Sequence, residues 1–393
     1  MTPAPPGPGP DQGNAPPPRG DAPLDAPRLS AAGADGLAPG RALVVGVGLI
    51  GGSIGGALRR CGWEVIGVDL DPARTRRARE RGVVDTVVAT PADAGSVDLA
   101  VVATPVGHLV DTVRAVLDTP AAVVTDAGSV KAPVARAIAD PRFVPGHPMA
   151  GSEQEGVDGA DPDLFDGATW VLTPTETTDD DALARVQSVV SAVGAQAVVT
   201  PPERHDALVA LVSHVPHLVA ATLMQLADRR AAEHRVLLRL AAGGFRDMTR
   251  IAAGHPAIWP DICAENRDAI VAVLDELTGE LDRVRGLVAD SDREALLARL
   301  ESARRARRNL PTTALRPDAL TEVRVPVRDR KGELAAIASL AADLDVNIYD
   351  LEIAHSAEGP RGVVIVLVDT ALAERLHGGL LALGYRPSLR PLT

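Results

Sequence analysis

The feature that most constrains the fold of this chain is the stretch GVGLIGGS at residues 46–53. Gly46, Gly48 and Gly51 stand in G-x-G-x-x-G spacing, directly after an apolar run and at the start of a helical pattern, and Asp69 ends the next apolar run. In such a strand–turn–helix–strand unit the first glycine permits a tight turn. The second lets a pyrophosphate approach the backbone, and the third lets helix and strand pack closely. The stretch therefore predicts a βαβ unit that binds a dinucleotide.

Asp69 indicates which dinucleotide is bound. A carboxylate at the end of the second strand accepts hydrogen bonds from the adenosine ribose hydroxyls and repels a 2′-phosphate, which favours NAD. The nearby cations Arg74, Arg76 and Arg77 leave NADP open as an alternative, although a solvated helix face explains them more simply. We therefore expect NAD as the cofactor.

Other cofactor contacts are expected at the start of the first helix and at the end of a later strand. The backbone of Leu49 and Ile50 is expected to face the pyrophosphate, because a helix N-terminus attracts negative charge. Ser53 is expected to donate from its hydroxyl to a phosphate oxygen. Thr104 and Pro105 follow another apolar run, and ligands in open α/β sheets lie at the carboxyl ends of strands.

Apolar runs that alternate with helical patterns predict one doubly wound α/β domain of the Rossmann type over residues 41–200. Most runs are apolar throughout, as in parallel strands buried on both faces. They lie at residues 42–47, 64–69, 98–104, 121–128, 169–174 and 195–200. Residues 1–40, rich in Pro and Gly, are expected to form a disordered tail without a secretory signal.

Two further domains are predicted beyond residue 200. Residues 201–312 show helical patterns without strand signals, and their wide Ala and Leu faces favour a homodimer. Residues 321–393 show the β-α-β-β-α-β order of a ferredoxin-like fold. The net charge of −12 argues against nucleic-acid and membrane partners. No uninterrupted apolar run is long enough to span a bilayer. The chain has only two cysteines, which fits the reducing cytoplasm.

A histidine in the stretch GHPMAGSE at residues 146–153 is the candidate catalytic base. His147 follows the sixth strand in a loop-like run, so it is expected at the nicotinamide end of the crevice, with its backbone restricted by Pro148. An imidazole beside a nicotinamide suits removal of a hydroxyl proton while hydride leaves the same carbon. His214 and His217 share a helix face and raise a zinc site as an alternative, but hydride transfer to NAD needs no metal and none is expected.

Five motifs in series resemble the prephenate dehydrogenases of tyrosine biosynthesis over about residues 41–310. They are GLIGGS, DAGSVK at 126–131, HPMAGSE, SHVPH at 213–217 and FRDMTRIA at 245–252. The resemblance implies that the substrate is prephenate and that NAD removes a hydride from its carbinol carbon. It further implies that the ring carboxylate leaves as CO2 and that the product is 4-hydroxyphenylpyruvate.

The resemblance also implies roles for individual residues. His147 is implied to deprotonate the substrate hydroxyl, and Ser129 to hydrogen-bond both His147 and that hydroxyl. Arg250 is implied to anchor a substrate carboxylate, a role that its planar guanidinium suits on chemical grounds. His217 and Glu153 are implied to line the substrate pocket. Lys131 is interpreted as a surface charge at a helix start.

The C-terminal run from 321 to 393 resembles an ACT domain, a small regulatory fold that binds amino acids, through DRKGELA and DVNIYDLEI. The resemblance implies an effector site where the first strand–helix turn meets the start of the next strand. The residues concerned are Asp329, Gly332, Glu333, Leu334, Asn347 and Ile348. The hypothesis is feedback inhibition by an aromatic amino acid, tyrosine first, and the alternative is a module for dimerisation or stability.

Three other functions stay open from the sequence alone. Arogenate dehydrogenase performs the same chemistry on the amine analogue, and residues around Gln154 and Glu155 would discriminate between the two substrates. A different hydroxy-acid dehydrogenase would share the layout, but DAGSVK and HPMAGSE together argue against it. A non-catalytic amino-acid sensor with NAD as a redox ligand conflicts with intact His147, Ser129 and Arg250.

Overall fold

The computed structural model describes residues 38–152, 154–231, 234, 236–308, 320–328, 330, 332–355 and 361–391. The predicted tail up to residue 37 lies outside the described residues, as do Glu153 and Asp329. The chain forms two compact units that divide between Leu274 and Asp275. This division falls inside a long helix of the stretch that the sequence assigns to one helical domain.

The first unit is built on a six-stranded parallel sheet with strand order β3-β2-β1-β4-β5-β6. Its strands are β1 (Arg41–Val45), β2 (Glu64–Val68), β3 (Thr86–Val87), β4 (Leu99–Val102), β5 (Val124–Asp126) and β6 (Phe143–Val144). The helices between them are α1 (Leu49–Arg60), α2 (Pro72–Glu80), α3 (Val106–Leu117) and α4 (Ala132–Ala137). The strand order reverses between β1 and β4, and this is where doubly wound sheets bind ligands.

The apolar runs form this sheet because both of its faces are covered. Ala42 and Val44 of β1 pack into one hydrophobic cluster, whereas Leu43 and Val45 pack into another. Successive side chains of a strand point to opposite faces, so a strand buried on both sides must be apolar at every position. The predicted doubly wound sheet is therefore confirmed for its first four runs and for the short strand β6.

The last two apolar runs do not extend that sheet, which corrects the expectation of one sheet over residues 41–200. A separate three-stranded sheet contains β7 (Gly146–Pro148), β8 (Thr169–Leu172) and β9 (Gln196–Val199), with α5 (Asp180–Ala192) between β8 and β9. Strand β7 runs antiparallel to β8, and β8 runs parallel to β9. Pro145 lies between β6 and β7 and has no N–H to continue a ladder, so the chain leaves the first sheet there.

The described residues between 202 and 308 form helices joined by short turns and contain no strand, as the sequence predicts. The helices are α6 (Pro202–Val209), α7 (Val215–Ala231), α8 (Gly243–Thr249), α9 (Trp259–Glu265), α10 (Arg267–Ala289) and α11 (Arg293–Arg308). A π-helical turn, Ala210–His214, joins α6 to α7 without a break. A 3₁₀ turn, Arg250–Ala253, follows α8.

Large apolar side chains stay exposed on the helical part of the first unit, among them Leu211, Val212 and Leu240. The continuous helix Pro202–Ala231 has mean hydropathy 1.8 in its most apolar window and, among the described helices, is long and apolar enough to cross a membrane. Ser213, His214 and His217 interrupt this stretch, so a search for an uninterrupted apolar run does not find it. A single such helix is weak evidence for a membrane, because apolar helix faces also bind other proteins.

The second unit contains an antiparallel sheet with strand order β11-β12-β10-β13. Its elements are β10 (Leu320–Arg328), α12 (Glu333–Asp343), β11 (Asp350–His355), β12 (Arg361–Asp369), α13 (Thr370–Ala382) and β13 (Ser388–Pro391). Val323, Val364 and Val366 of the sheet pack against Ile337 and Leu376 of the helices. The predicted ferredoxin-like fold is confirmed.

Candidate active site

The glycine turn between β1 and α1 has the backbone geometry that the motif requires. Gly46 has φ +90°, and a Cβ atom there would lie 2.6 Å from the carbonyl oxygen of Ala103. A Cβ on Gly51 would lie 1.8 Å from the oxygen of Gly46. A Cβ on Gly48, by contrast, would meet no protein atom within 4 Å. The turn is therefore closed on the protein side and open at Gly48, where a pyrophosphate would approach.

Ser53 does not have the role that the sequence predicted. Its side chain is fully buried, its hydroxyl donates to the oxygen of Leu49 at 2.8 Å, and it accepts from the N–H of Asp161 at 3.0 Å. Both bonds are internal, so the hydroxyl braces α1 instead of facing a phosphate. Leu49 and Ile50 do form the first turn of α1, where backbone N–H groups lack partners within the helix.

Asp69 follows β2 and is fixed beside the glycine turn. Its carboxylate accepts from the N–H groups of Val47 and Asp71, each at 3.0 Å. Arg74 forms an ion pair with it at 3.1 Å, and Arg77 pairs with Asp158 at 2.6 Å. Asp69 thus lies beside the glycine turn, as expected for a residue predicted to contact the ribose. Arg74 is an ion-pair partner of this carboxylate and not simply part of a solvated face.

Thr104 and Pro105 complete the cradle at the end of β4. The Thr104 hydroxyl oxygen is buried and has no hydrogen-bond partner among the described residues. Pro105 is the N-cap of α3. An orphaned hydroxyl beside an open glycine turn fits a dinucleotide, because a bound ligand would satisfy the buried polar atom.

His147 lies on β7, not in a loop, and its strand is attached to the carboxyl end of the main sheet. The N–H of Gly146 donates to Oδ1 of Asp126 at 3.1 Å, and Asp126 is the last residue of β5. The N–H of Ala127 donates to the oxygen of Val102, at the end of β4, at 2.9 Å. His147 therefore stands at the same sheet edge as Thr104, as the sequence predicts.

Burial lowers the pKa of His147 well below its ordinary value, and the nearby His205, Lys131 and His214 lower it further. Because protonation of this ring is opposed by both low polarity and the nearby Lys131 ammonium, His147 is a neutral imidazole at physiological pH. A neutral imidazole with one free nitrogen is a proton acceptor.

Lys131 is not the surface charge that the sequence suggested. Its side chain is fully buried, and its ammonium donates to the Asp126 carboxylate and, at 2.8 Å, to the oxygen of Gly146. Burial lowers its pKa, while the Asp126 carboxylate opposes that shift. Lys131 thus joins the end of β5 to the strand that carries His147.

Two residues that the sequence analysis did not single out lie directly behind His147. Nδ1 of His147 is 2.9 Å from Nε2 of His205, and Nδ1 of His205 is 2.8 Å from Oδ1 of Asp206. Both residues belong to α6 and are buried. The adjacent pair His-Asp at the start of a predicted helix was the available signal, because a catalytic histidine needs a partner that orients it.

His214 and His217 lie on either side of one tryptophan. The ring of His217 stacks on Trp259 with centroids 3.6 Å apart, whereas His214 meets the same ring edge-on at 6.2 Å. His214 is buried, its Nδ1 accepts from the side-chain amide of Asn266 at 3.1 Å, and its pKa is lowered by burial to about 4. Among the described residues, no group of three potential metal ligands forms a site.

The other residues predicted to contact the substrate are Arg250, Ser129 and Glu153. Arg250 begins the exposed 3₁₀ turn after α8, and the next residue beyond this turn, Gly254, lies beside the ring of His217. Ser129 lies in the loop after β5, but the partner that the structure gives to His147 is His205 and not Ser129. Glu153 lies outside the described residues.

The candidate effector residues belong to the second unit. Gly332 has φ +97° at the start of α12, Leu334 is partly exposed, and the Glu333 carboxylate accepts from the Tyr385 hydroxyl at 2.8 Å. A cavity of about 390 Å³ lies at the other end of α12 and is lined by Ala338, Ala341, Ala342, Asp345, Val346, Asn347 and Ile348. Only two of the predicted residues, Asn347 and Ile348, line this cavity.

Two family models match the chain. The prephenate dehydrogenase nucleotide-binding domain matches residues 54–199, and the prephenate dehydrogenase dimerization domain matches residues 201–302. Together they cover Asp69, Thr104, the His147 strand and the helices that carry His205, His217 and Arg250, whereas the glycine turn at residues 46–51 precedes the first match.

Similar proteins are known from several bacteria. Prephenate dehydrogenase of Bacillus subtilis (strain 168) is 33% identical over 337 residues, which are 82% of this chain and 90% of that relative. The structure of prephenate dehydrogenase from A. aeolicus in complex with hydroxyphenyl propionate and NAD+ has a TM-score of 0.66 and 31% identity, and covers 70% of this chain and 100% of that one. Synechocystis arogenate dehydrogenase has a TM-score of 0.60 and 32% identity, and covers 68% of this chain and 98% of that one. Because the two family models together match more than half of the chain, and the Bacillus subtilis relative is 33% identical over 82% of it, the chain belongs to the prephenate dehydrogenase family.

Proposed function

We propose that the protein catalyses the NAD-dependent oxidative decarboxylation of prephenate to 4-hydroxyphenylpyruvate. The observation that carries this proposal is the His147 imidazole, which is kept neutral at the sheet edge where the glycine turn forms a dinucleotide cradle. Family membership supports the same reaction.

In this reaction His147 accepts the proton of the substrate hydroxyl, because its lowered pKa leaves a lone pair free at neutral pH. NAD, when bound, supplies the hydride acceptor. Loss of the ring carboxylate as CO2 makes the ring aromatic and the reaction effectively irreversible. The protein therefore has mainly to orient the substrate for hydride transfer.

Substrate orientation is assigned to residues around His217. The His217 ring is held flat against Trp259, and we assign it to one wall of the substrate pocket. Arg250 offers two parallel N–H groups to a carboxylate, and a dianionic substrate needs such a permanent cation. Ser129 is assigned to the substrate hydroxyl, and Glu153 is assigned to the pocket by the family resemblance.

Arogenate is the second candidate substrate, and one contact favours it. The Glu155 carboxylate lies 3.8 Å from Nε2 of His255, which follows Gly254, the neighbour of His217. A carboxylate there would bind the ammonium that arogenate has in place of the ketone oxygen of prephenate. The similarity to Synechocystis arogenate dehydrogenase gives the same alternative.

The deciding experiment is turnover of prephenate and arogenate side by side, each with NAD and NADP, followed by the absorbance of the reduced nicotinamide. The proposal expects the highest kcat/KM with prephenate and NAD. A higher value with arogenate would assign the second substrate. Absence of turnover with both would refute the dehydrogenase and favour the amino-acid sensor.

A homodimer in the cytoplasm is also proposed. The exposed apolar side chains of the helical part, such as Leu211 and Leu240, lie in the segment that matches a dimerization domain. Light scattering should give the mass of two chains, and Leu211→Asp should shift it towards one. Leu70→Asp is the matched control, because Leu70 is fully exposed outside that segment; a wild-type mass of one chain would refute the dimer.

We further propose that the second unit is an ACT domain through which tyrosine inhibits the enzyme. The support is the ferredoxin-like topology, the left-handed Gly332 at the start of α12, and the cavity beside Asn347. Gly332→Val and Asn347→Ala should each abolish inhibition by tyrosine while the uninhibited kcat stays unchanged. Full inhibition in both variants would rule out this site.

A further inference from the structure

A line of hydrogen bonds leads away from the candidate base into the protein. His147 bonds to His205, and His205 bonds to Asp206, at 2.9 Å and 2.8 Å. His205 is 1% exposed and Asp206 is 5% exposed, so water does not compete for these bonds. The reaction proposed above uses only His147 of these three residues.

Asp206 is anchored at the far end of this line. Its Oδ1 accepts from the N–H of Lys131 and its Oδ2 from the N–H of Ala132, each at 2.8 Å. The amide of Asn266 donates to the Asp206 main-chain oxygen at 2.9 Å. The carboxylate therefore has one fixed orientation, with Oδ1 directed to His205.

This arrangement selects one tautomer of each ring. A carboxylate can only accept hydrogen bonds, so Nδ1 of His205 carries the proton of that bond. In a neutral imidazole the other nitrogen is then an acceptor, so Nε2 of His205 accepts from Nδ1 of His147. Nε2 of His147 is left without a proton and is free to receive one.

The contact between the two rings also fixes their planes. Their centroids lie 5.1 Å apart with an interplanar angle of 76°, so one ring meets the other edge-on. Strand pairing of His147 with Val171 of β8 fixes the backbone of the same residue. Both the direction and the protonation of the His147 ring are thus set from behind.

We propose that His205 and Asp206 are positioning residues that hold His147 with its proton on Nδ1 and stabilise the imidazolium that it becomes. When the substrate O–H bond breaks, a new N–H bond forms at Nε2 of His147, and the hydride of the same carbon leaves to NAD. The positive charge on His147 then faces Asp206 through the His205 ring. This inference rests on the proposed function, since it gives His147 the role of proton acceptor.

A matched pair of substitutions at His205 separates positioning from packing. In His205→Gln the side-chain carbonyl still accepts from Nδ1 of His147, whereas His205→Leu fills similar space and accepts nothing. We expect His205→Leu to lower kcat by about 10- to 100-fold, by analogy with the loss of a partner that orients a metal-ligating histidine. His205→Gln should recover most of this loss, and KM and NADH affinity should change little in both variants.

Nitrogen-15 NMR of histidine-labelled protein without substrate provides a readout that packing alone would not move. The two His147 nitrogens, assigned by their absence in His147→Asn, should show a protonated Nδ1 and an unprotonated Nε2 in wild type and in His205→Gln. His205→Leu should give a mixture of tautomers.

Two outcomes would overturn the inference. One is wild-type kcat together with wild-type nitrogen signals in His205→Leu. The other is an equal fall of kcat in both variants with unchanged His147 signals, which would mean that His205 only packs. A protonated Nδ1 in a protein that turns over neither prephenate nor arogenate would instead refute the proposed function and leave the tautomer assignment standing.

Discussion

Removing the buried ammonium with Lys131→Met should destabilise the first unit strongly. Lys131 and Asp126 both have fully buried side chains, and methionine is close to lysine in length and volume, so the substitution removes charge more than packing. Breaking a buried pair by removing one partner costs about 3–5 kcal/mol, because the remaining charge stays buried. Asp126 keeps the N–H groups of Gly128 and Gly146 as donors, so we expect the lower end, about 3 kcal/mol.

The assay is unfolding by urea followed by tryptophan fluorescence. Trp63, Trp170 and Trp259 are the three tryptophans of the chain and precede Leu274, so the signal reports on the first unit alone. Arg136→Met on α4 is the control: its ion pair with Glu203 is exposed, and its loss should cost less than about 1 kcal/mol.

A double variant tests the cause of the loss. Lys131→Met combined with Asp126→Asn removes both charges of the pair, so it should lose less than the sum of the two single variants, with a coupling of about 1–3 kcal/mol. Two results would refute the argument that the charges of Lys131 and Asp126 stabilise each other in the interior. One is a loss of stability in the double variant equal to the sum of the two single losses. The other is a Lys131→Met protein as stable as the Arg136→Met control.

The remaining predictions concern the cradle, the base, the substrate anchor and acid stability. Gly48→Ala should leave the urea midpoint unchanged but weaken NADH binding by about 1.4 kcal/mol or more, which is tenfold in affinity. Fluorescence titration measures this affinity, and an unchanged value would contradict the inference that the pyrophosphate approaches Gly48. His147→Asn should lower kcat by about 10² to 10⁴ with NADH affinity nearly unchanged. Arg250→Gln should mainly raise KM for prephenate, by about tenfold or more, since charged hydrogen bonds contribute about 1.5–3 kcal/mol. A fall in kcat for Arg250→Gln together with a raised KM for His147→Asn would mean that the roles of these two residues are wrongly assigned. The pKa of His214 is about 4 in the folded protein and 6.5 in the unfolded chain. Between pH 4 and pH 6.5 only the unfolded chain therefore binds a proton at this imidazole. The free energy of unfolding is full above pH 6.5 and falls by at most about 3 kcal/mol towards pH 4. His214→Gln should lack this loss in urea unfolding at the two pH values, and an unchanged pH dependence would contradict it.

The parts of the site that could be predicted from sequence depend on residues that are close along the chain. The turn with Gly46 and Gly51 is determined by local backbone needs, and the spacing alone shows them. Placement of His147 at the sheet edge also followed, because strand order and chain direction constrain where a segment after a parallel strand can lie.

The parts that were missed depend on contacts between distant segments. His205 is 58 residues from His147, and no local pattern indicates that helix α6 lies behind β7. Ser53 was assigned to the phosphate because its position in the motif was right, but the backbone of Asp161, far along the chain, takes its hydroxyl. For Lys131 a signal existed: a lysine stands five residues after Asp126 in a chain whose other cations are nearly all arginine.

The π-helical turn Ala210–His214 sets the relative direction of two side chains on one continuous helix. Each residue of a regular α-helix advances the direction of its side chain by about 100°, whereas each residue of a wider π-helical turn advances it less. If the same residues formed a regular α-helix, everything after them would be rotated further about the helix axis. His205 would keep its place behind the base, but His217 would leave Trp259. The wider turn is therefore what lets one helix hold both histidines in place.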